Sequence, residues 1–280
     1  MPARMPVEAT APFAPVLRCN QLLAQLPEEF FARHGRDFVI AHLAAGEVFD
    51  ESGGREKRLC FPLDCVISLV RTMADGACAE YAMVGSEGAL GLSMPDGGED
   101  AAGRAIIEKG GHAASLPARI LVQGNCDTGS LCRTLLRYTQ TFISQLAQNA
   151  ACNRLHSVEQ RLCRWLLLTA HRTGTAEVTI THERAAALLG VQRESVTIAA
   201  GKLQRDGLIR YARGRLVILE RSGLEACACE CYQTAMQEHG QLLGRERIDR
   251  PAQEVFPRFD YKSRPVYPSA FAKEVTLQGR

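Results

Sequence analysis

Polar side chains that can read the edges of DNA bases follow a glycine in the last third of the chain. The run after Gly190 and Val191 consists of Gln192, Arg193, Glu194 and Ser195, with Thr197 beyond it. An arginine can donate two hydrogen bonds to guanine, and a carboxylate can accept one from the amino group of cytosine. A helix can offer such groups to the major groove only if its N-terminal end projects from the protein. This run therefore predicts the start of a base-reading helix.

The elements around this run have the order needed to project it. Thr181 can cap a helix by accepting a hydrogen bond from a free backbone amide, and Gly190 suits the left-handed turn that ends the helix. The predicted elements, in chain order, are a helix at 159–171, an extended stretch at 178–180, a helix at 182–189, a helix from 192 to about 206 and a hairpin returning at 216–219. This order predicts a winged helix-turn-helix.

The hairpin and the helix starts add candidate phosphate contacts. Arg213 and Arg215 flank Gly214 at the hairpin tip, where the missing side chain lets the backbone approach a phosphate closely. The full predicted DNA-contacting set is Thr181, His182, Gln192, Arg193, Glu194, Ser195, Thr197, Lys202, Arg213 and Arg215. The competing interpretation is a surface helix with solvated charges and a basic turn that binds nothing.

A long amphipathic helix is predicted immediately before this segment. From 127 to 152 the chain contains no proline, and its only glycine is Gly129. One apolar stripe recurs at helical spacing, at Leu131, Leu135, Tyr138, Phe142 and Leu146. Such a stripe can pack on its own domain or pair with a second copy, and the spacing favours neither.

The first half of the chain predicts short strands. Apolar runs at 38–40, 59–61, 66–70, 81–84, 104–107 and 120–122 alternate with glycine-rich turns. Asp75-Gly76 is typical of a hairpin turn. This spacing indicates an all-β sandwich or barrel, so that the whole chain has an α+β fold.

Charge divides the chain in the same way. The formal net charge is only +2, but residues 1–120 carry −5 and residues 153–221 carry +6. An acidic domain followed by a compact basic segment suggests a regulatory module joined to a nucleic-acid-binding module.

The eleven cysteines are scattered along the chain, and the sequence shows neither an export signal nor a membrane-spanning run. This pattern predicts reduced thiols and a cytoplasmic location without a membrane partner.

The run 180–196, with Leu203 to Ile209 after it, resembles the DNA-binding domain of the Crp/Fnr transcriptional regulators. The resemblance implies an N-terminal double-stranded β-helix (jelly roll), a long dimerisation helix and a C-terminal winged helix-turn-helix. It implies a homodimer on a near-palindromic DNA operator, with RNA polymerase as a candidate further partner. The expected boundaries are a lead at 1–25, a sensor domain at 26–126, a dimerisation helix at 127–152, a winged helix at 153–223 and a partly flexible extension at 224–280.

The resemblance also assigns residue roles. The family's base-reading Arg and Glu fall on Arg193 and Glu194, and its phosphate-contacting Thr falls on Thr181. The Ser that usually precedes the Arg is Gln192, and a second base-reading Arg is replaced by Ile198. Ile198 can contact a thymine methyl but cannot donate to guanine, so the operator should differ. The five apolar residues of the long helix become the expected dimer contacts.

The sensor domain departs from the pattern of the cyclic-nucleotide-binding relatives. The position of the ribose-binding Glu is Ala89, and that of the phosphate-pairing Arg is Gly103, with Arg104 one place later. A shift by one residue in a strand points a side chain to the opposite face. We therefore expect no cyclic AMP binding in the family's manner, and Arg104 remains only a weak candidate effector ligand.

The cysteines and histidines do not predict a cofactor. Cys227, Cys229 and Cys231 would wrap around a regular helix, which favours incidental thiols on a surface helix over a metal site, although an irregular backbone could bring two together. His34, His42 and His112 lack a close His-x-His pairing, which argues against a cupin-type enzyme and leaves haem as an open alternative.

No catalytic residue is assigned. The runner-up function is a ligand-binding or protein-interaction module whose winged helix contacts protein.

Overall fold

The computed structural model describes residues 14–49, 58–91, 103–122 and 129–242. Strands in these ranges are β1 (Val39–Leu43), β2 (Val48–Phe49), β3 (Arg58–Pro62), β4 (Val66–Thr72), β5 (Cys78–Val84), β6 (Gly103–Lys109), β7 (Gly111–Pro117), β8 (Glu177–Thr179), β9 (Ile209–Ala212) and β10 (Arg215–Ile218). Helices are α1 (Ala14–Leu17), α2 (Gln21–Ala24), α3 (Glu28–His34), α4 (Arg119–Val122), α5 (Gly129–Leu155), α6 (Val158–Thr173), α7 (His182–Leu189), α8 (Arg193–Arg205), α9 (Arg221–Cys227) and α10 (Cys231–Leu242). A 3-10 turn spans Gly35–Asp37.

Two antiparallel sheets form the N-terminal β domain (residues 14–122). One has the strand order β1-β7-β3 and the other β2-β6-β4-β5. Both sheets contribute to one apolar core, for example Ala113 from the first sheet and Ile67 and Ile107 from the second. The predicted Asp75-Gly76 turn joins β4 to β5, with Gly76 at a φ of +86°. The predicted α+β fold, with a β domain, a long helix and a C-terminal helix-turn-helix, is confirmed.

The sequence interpretation of the β domain was wrong at one apolar run and missed two of the described strands, the two-residue β2 and the longer β7. The run at 120–122 belongs to the short helix α4, because a few consecutive apolar residues cannot distinguish a buried helix from a strand. Strand β7 was missed because it is built mainly of small residues with little strand preference. Small size is required there, since a Cβ on Gly111 would lie 2.5 Å from Asp64 Oδ1.

Residues that the sequence placed in an N-terminal lead pack into the β domain. Leu17 and Leu22 are fully buried with Leu131 of α5 in one apolar cluster. Asn20 is also buried, accepts hydrogen bonds from backbone amides of α2 and donates to the carbonyls of Pro62 and Gly88. The first described helices, α1 and α2, therefore pack between the β domain and the long helix α5.

The C-terminal helical domain (residues 158–242) has a core that also includes Val66, Val70 and Met83 of the β domain. Ser157 and Gln160 form a capping box at the start of α6, and Gly174 ends that helix in the left-handed conformation. Strands β8, β10 and β9 form a small antiparallel sheet behind α7 and α8. Helix α10, which the sequence assigned to the C-terminal extension, packs on α5 and α6.

Candidate nucleic-acid interface

The two helices of the predicted helix-turn-helix meet at Gly190. Its φ of +62° continues the chain from α7 into the turn, and the Val191 amide donates to the carbonyl of Ala186. Helix α8 buries Val196, Ala199, Ala200 and Leu203. The opposite face of α8 is exposed and carries Gln192, Arg193, Glu194, Thr197 and Ile198, and Ser195 is partly exposed. The predicted base-reading run therefore lies on the free side of the helix.

His182 of α7 contacts both α8 and strand β9 of the hairpin. Its Nδ1 lies 3.0 Å from Thr197 Oγ1 on α8, and its ring stacks on Tyr211 of β9 with centroids 4.3 Å apart. Burial and the nearby Arg193 guanidinium lower the pKa of His182. Because the imidazole is then neutral at pH 7, it acts here as a packing and hydrogen-bonding bridge between α7, α8 and the hairpin. Tyr211 was not anticipated from the sequence, where its alternation within β9 is the only signal.

The hairpin tip lies beside the start of α7. Arg213 and Gly214 both have positive φ, 50° and 78°, as a tight two-residue hairpin turn requires. The Ile180 amide donates to the Gly214 carbonyl at 2.8 Å, and Thr181 caps α7 by accepting from the Arg184 amide. The tip, the α7 cap and the start of α8 thus form one continuous polar edge.

Ion pairs sort the predicted cations into two groups. Lys202 Nζ lies 2.9 Å from Glu159 Oε1, and Arg215 Nε lies 2.6 Å from Glu177 Oε1. Among the described residues, Arg193 and Arg213 have no acidic partner within ion-pair distance, and both are exposed. Of the predicted cations, Arg193 and Arg213 are therefore the two whose charge is not offset by a carboxylate of the described residues.

Helix α5 has two faces with different surroundings. The predicted dimer residues Leu131, Leu135 and Tyr138 are buried against the β domain, and Phe142 and Leu146 pack on the same core. These five residues therefore pack within their own chain, and their assignment as dimer contacts stays a prediction. The exposed face carries the outer stripe, which repeats at alternating spacings of four and three: Leu136, Gln140, Ile143, Ala147 and Ala150.

The positions of Arg104, Gly88 and Ala89 relative to the interior of the β domain determine whether these residues could contact an effector there. Ala105 and Ile107 of β6 point into the apolar core, so the alternating Arg104 faces outwards and is exposed. Gly88 is packed closely, since a Cβ there would lie 2.6 Å from Tyr138 Oη. Arg104 therefore does not reach the interior of the β domain, and Ala89 is buried in apolar surroundings.

The helical domain is held firmly against the β domain. Trp165 Nε1 donates to Glu80 Oε1 at 3.1 Å, and Ser68 also bonds that carboxylate. Arg172 Nε lies 2.6 Å from Glu87 Oε1. Burial opposes ionisation of Glu87, but Arg172 and His239 outweigh it and hold the pKa at about 2. These contacts couple the winged helix to the sheet β2-β6-β4-β5.

The cysteines near the end of α9 differ from the expected surface thiols. Cys229 and Cys231 are buried, and they lie beside Cys152 of α5. Helix α9 ends at Cys227 and α10 begins at Cys231, so the backbone between them is irregular. The interpretation of Cys229 and Cys231 as incidental surface thiols was therefore wrong, because it assumed one regular helix.

Comparison with known proteins agrees with this architecture. Residues 160–227 match the Crp-like helix-turn-helix domain. The fold is similar to that of a protein from Eubacterium rectale assigned to the Crp/Fnr regulators, with 20% identity, a TM-score of 0.58 and coverage of 75% of this chain and 98% of that one. A Crp-family transcriptional regulator from Thermus thermophilus gives 23% identity, a TM-score of 0.57 and coverage of 67% and 96%.

A third similar structure is the c-di-GMP responsive regulator CLP from Xanthomonas campestris, with 15% identity, a TM-score of 0.55 and coverage of 68% and 97%. None of the curated proteins matches the chain in sequence. The resemblance drawn from the sequence is confirmed: the chain carries a Crp-like helix-turn-helix domain within the fold of the Crp/Fnr-family regulators. Among the described helices, none is both long enough and apolar enough to cross a membrane.

Proposed function

We propose that this chain is a transcriptional regulator that binds a specific DNA sequence as a homodimer. The observation that carries the proposal is the exposed start of α8, where Arg193 projects without an acidic partner among the described residues. Reduced thiols and a DNA partner suit a cytoplasmic location. The charge of residues 153–221, +6, supplies local attraction for the phosphate backbone although the whole chain is nearly neutral.

Base reading is assigned to three residues of α8. Arg193 is suited to a guanine through two hydrogen bonds, and Glu194 to a cytosine amino group. Ile198 lies one turn beyond Glu194 on the exposed face of α8 and is 72% exposed. Contact with a thymine methyl would bury it. The expected half-site therefore combines G·C pairs with a T next to them.

Phosphate contacts are assigned to the edge beside α8. Thr181, at the start of α7, and Arg213 with the Gly214 backbone at the hairpin tip lie on one continuous edge. Such contacts position a protein on the duplex but carry no sequence information. His182 is assigned a supporting role, because it holds Thr197 and Tyr211 in place.

Dimerisation is assigned to the outer stripe of α5. Leu136 and Ile143 are 66% and 60% exposed, and the small residues Ala147 and Ala150 would allow two helices to approach closely. A pair of chains joined in this way presents two copies of α8 to one face of the duplex. Half-sites about 34 Å apart, one helical turn, are then expected.

We also propose that the β domain does not bind cyclic AMP as its nucleotide-binding relatives do. Support comes from buried Ala89 at the ribose position and from Arg104 on the outer face of β6. Titration calorimetry with cyclic AMP tests this directly. Tight binding that Arg104→Ala abolishes would contradict it.

The experiment that tests the main proposal is selection of binding sites from random duplex DNA by the full-length protein. The expected product is an inverted repeat with half-site centres about one turn apart. Enrichment of a single, unrepeated half-site would contradict the homodimer model. If no sequence is enriched and binding depends only on salt, α8 does not read bases, and a protein-contacting role becomes the better explanation.

A further inference from the structure

Four metal-binding side chains converge where α5 meets the turn between α9 and α10. They are Cys152, His156, Cys229 and Cys231, and their ligand atoms all lie within 4.8 Å of one another. Cys152 and Cys231 are fully buried, and Cys229 is 3% exposed. Cys152 and His156 are four residues apart, so they share one side of the helix end. The irregular backbone between α9 and α10 brings Cys229 and Cys231 to the same point.

From this convergence we infer that the chain has a Cys3His site for Zn²⁺. Structural zinc sites use four thiolate or imidazole ligands in a tetrahedron, with Zn–S bonds of about 2.3 Å and Zn–N bonds of about 2.0 Å. These bond lengths place two sulfurs roughly 3.8 Å apart, and a sulfur and a nitrogen roughly 3.5 Å apart. Cys152 Sγ lies 3.6 Å from Cys229 Sγ, and Cys231 Sγ lies 3.5 Å from His156 Nδ1. These two distances match those of a tetrahedral ion, and all six ligand-to-ligand distances are at most 4.8 Å.

The surroundings of His156 fit the same role. Its Nε2 lies 3.2 Å from Glu230 Oε1, which leaves Nδ1 to face the sulfurs. A metal-bound histidine ordinarily donates its other ring N–H to a carboxylate or a carbonyl, which orients the ring and increases its basicity. Gln148 Nε2 also donates to Cys231 Sγ at 2.9 Å, as a donor to a metal-bound thiolate would.

The charge balance favours an ion bound by three thiolates. Zn²⁺ with three thiolates and a neutral imidazole has a net charge of −1. Arg161 and Arg164 lie close enough to interact electrostatically with Cys152. The Nε atoms of both arginines are buried without a hydrogen-bond partner among the described residues. Arg161 also donates to the Leu189 carbonyl and Arg164 to Asn149 Oδ1, and the two positive charges would stabilise the negative charge of the cluster.

A disulfide between Cys152 and Cys229 accounts for less of the arrangement. It would use two of the four groups and leave buried Cys231, and His156 aimed at it, without a role. The metal site instead joins the end of α5 to the segment after the winged helix. Ser157, which caps α6, immediately follows His156, so a bound ion would set the angle between the long helix and the helical domain. The site does not depend on DNA being the partner of α8.

Metal titration of the reduced, metal-stripped full-length protein tests the site. Co²⁺ should bind at about one ion per chain and give the thiolate charge-transfer and visible bands of a tetrahedral site, and Zn²⁺ should displace it. Cys152→Ser and Cys229→Ser should lose this spectrum. Cys227→Ser is the matched control, because Cys227 belongs to the same triplet but packs in the helical domain core, so it should keep the spectrum.

A gentler variant separates metal binding from folding. The Glu230 side chain is 75% exposed, so Glu230→Ala should fold normally and yet lower Zn²⁺ affinity by about 10-fold or more, because it removes the acceptor that orients His156. In the wild type, Zn²⁺ should also slow alkylation of Cys152, Cys229 and Cys231 but not of Cys227.

Three results would overturn the assignment. The first is an absent Co²⁺ spectrum, and the second is an equal loss of that spectrum in Cys227→Ser. The third is a Cys152–Cys229 disulfide in protein that binds no metal after reduction, which would identify a redox pair instead.

Discussion

Arg193 is the side chain on which base reading should depend most, since it is exposed at the start of α8 and has no acidic partner among the described residues. We predict that Arg193→Ala weakens binding to the selected operator by about 1–3 kcal/mol, because a bidentate contact to guanine is lost. Affinity for random duplex DNA should change far less. Fluorescence anisotropy at one fixed salt concentration measures both.

Arg205→Ala is the matched control for this experiment. It removes the same charge from the last turn of the same helix, away from the predicted groove contact. Its effect should be small and similar on both duplexes. An equal loss on operator and random DNA in Arg193→Ala would assign Arg193 to a phosphate instead of a base.

Residue roles could be predicted from the sequence only where they depend on local position. Arg193 and Glu194 follow a helix-breaking glycine, so their exposure at a helix start was predictable. The ion pairs of Lys202 and Arg215 were not, because Glu159 and Glu177 are 43 and 38 residues away in the chain. These pairs reduce the charge that two of the predicted contacts can offer to phosphate.

The outer stripe of helix α5 is the proposed dimer contact. We expect Leu136→Asp and Ile143→Asp to shift the protein from dimer to monomer, since each puts a charge into the outer stripe. Leu155→Asp is the control, because Leu155 is also exposed, at 76%, but lies to one side of that stripe. Sedimentation velocity measures the change, and circular dichroism should show an unchanged fold.

The inner stripe of α5, which the sequence predicted as the dimer contact, should instead affect the stability of the fold. Leu135 is buried in the β domain, so Leu135→Asp should lower the free energy of unfolding by several kcal/mol, about 3–5, because it places an unpaired charge in the core. A folded monomer from Leu135→Asp, with dimers kept in Leu136→Asp, would show that the original stripe is the interface after all.

Two stripes with helical spacing coexist on α5, and the sequence analysis recognised only the inner one. The inner stripe has the larger apolar residues and was the more visible one. A helix that packs on its own domain and also on a partner needs both faces. The pattern of one chain contains no information about which face meets which surface.

The junction between the two domains determines a property of the whole molecule. Burial of its carboxyl group raises the pKa of Glu80 to about 7, against the hydrogen bonds from Ser68 and Trp165. The folded state therefore favours the protonated form. The stability that this provides is complete below the ordinary pKa of 4.5 and is lost as the pH rises through about 7.

We predict that Glu80→Gln abolishes this loss of stability with rising pH. Between pH 5 and pH 8, the free energy of unfolding of the wild type should fall relative to that of the variant, by on the order of 3 kcal/mol. Urea unfolding at several pH values measures the difference. His239, whose pKa burial lowers to about 4, acts equally in both proteins, so the difference isolates Glu80. Parallel pH profiles for the two proteins would contradict the prediction.

The sequence by itself determined the order of the elements in the helix-turn-helix segment and the residues that start and end its two helices. Thr181, Gly190 and the run from Gln192 act through contacts within a few residues, so their patterns can be recognised in a linear chain. Only the tertiary structure decided which face of α5 is free. It also brought Cys152 within 3.6 Å of Cys229, 77 residues away. Contacts of that separation depend on how whole elements pack, and packing is set by the combined shape of surfaces that no local pattern records.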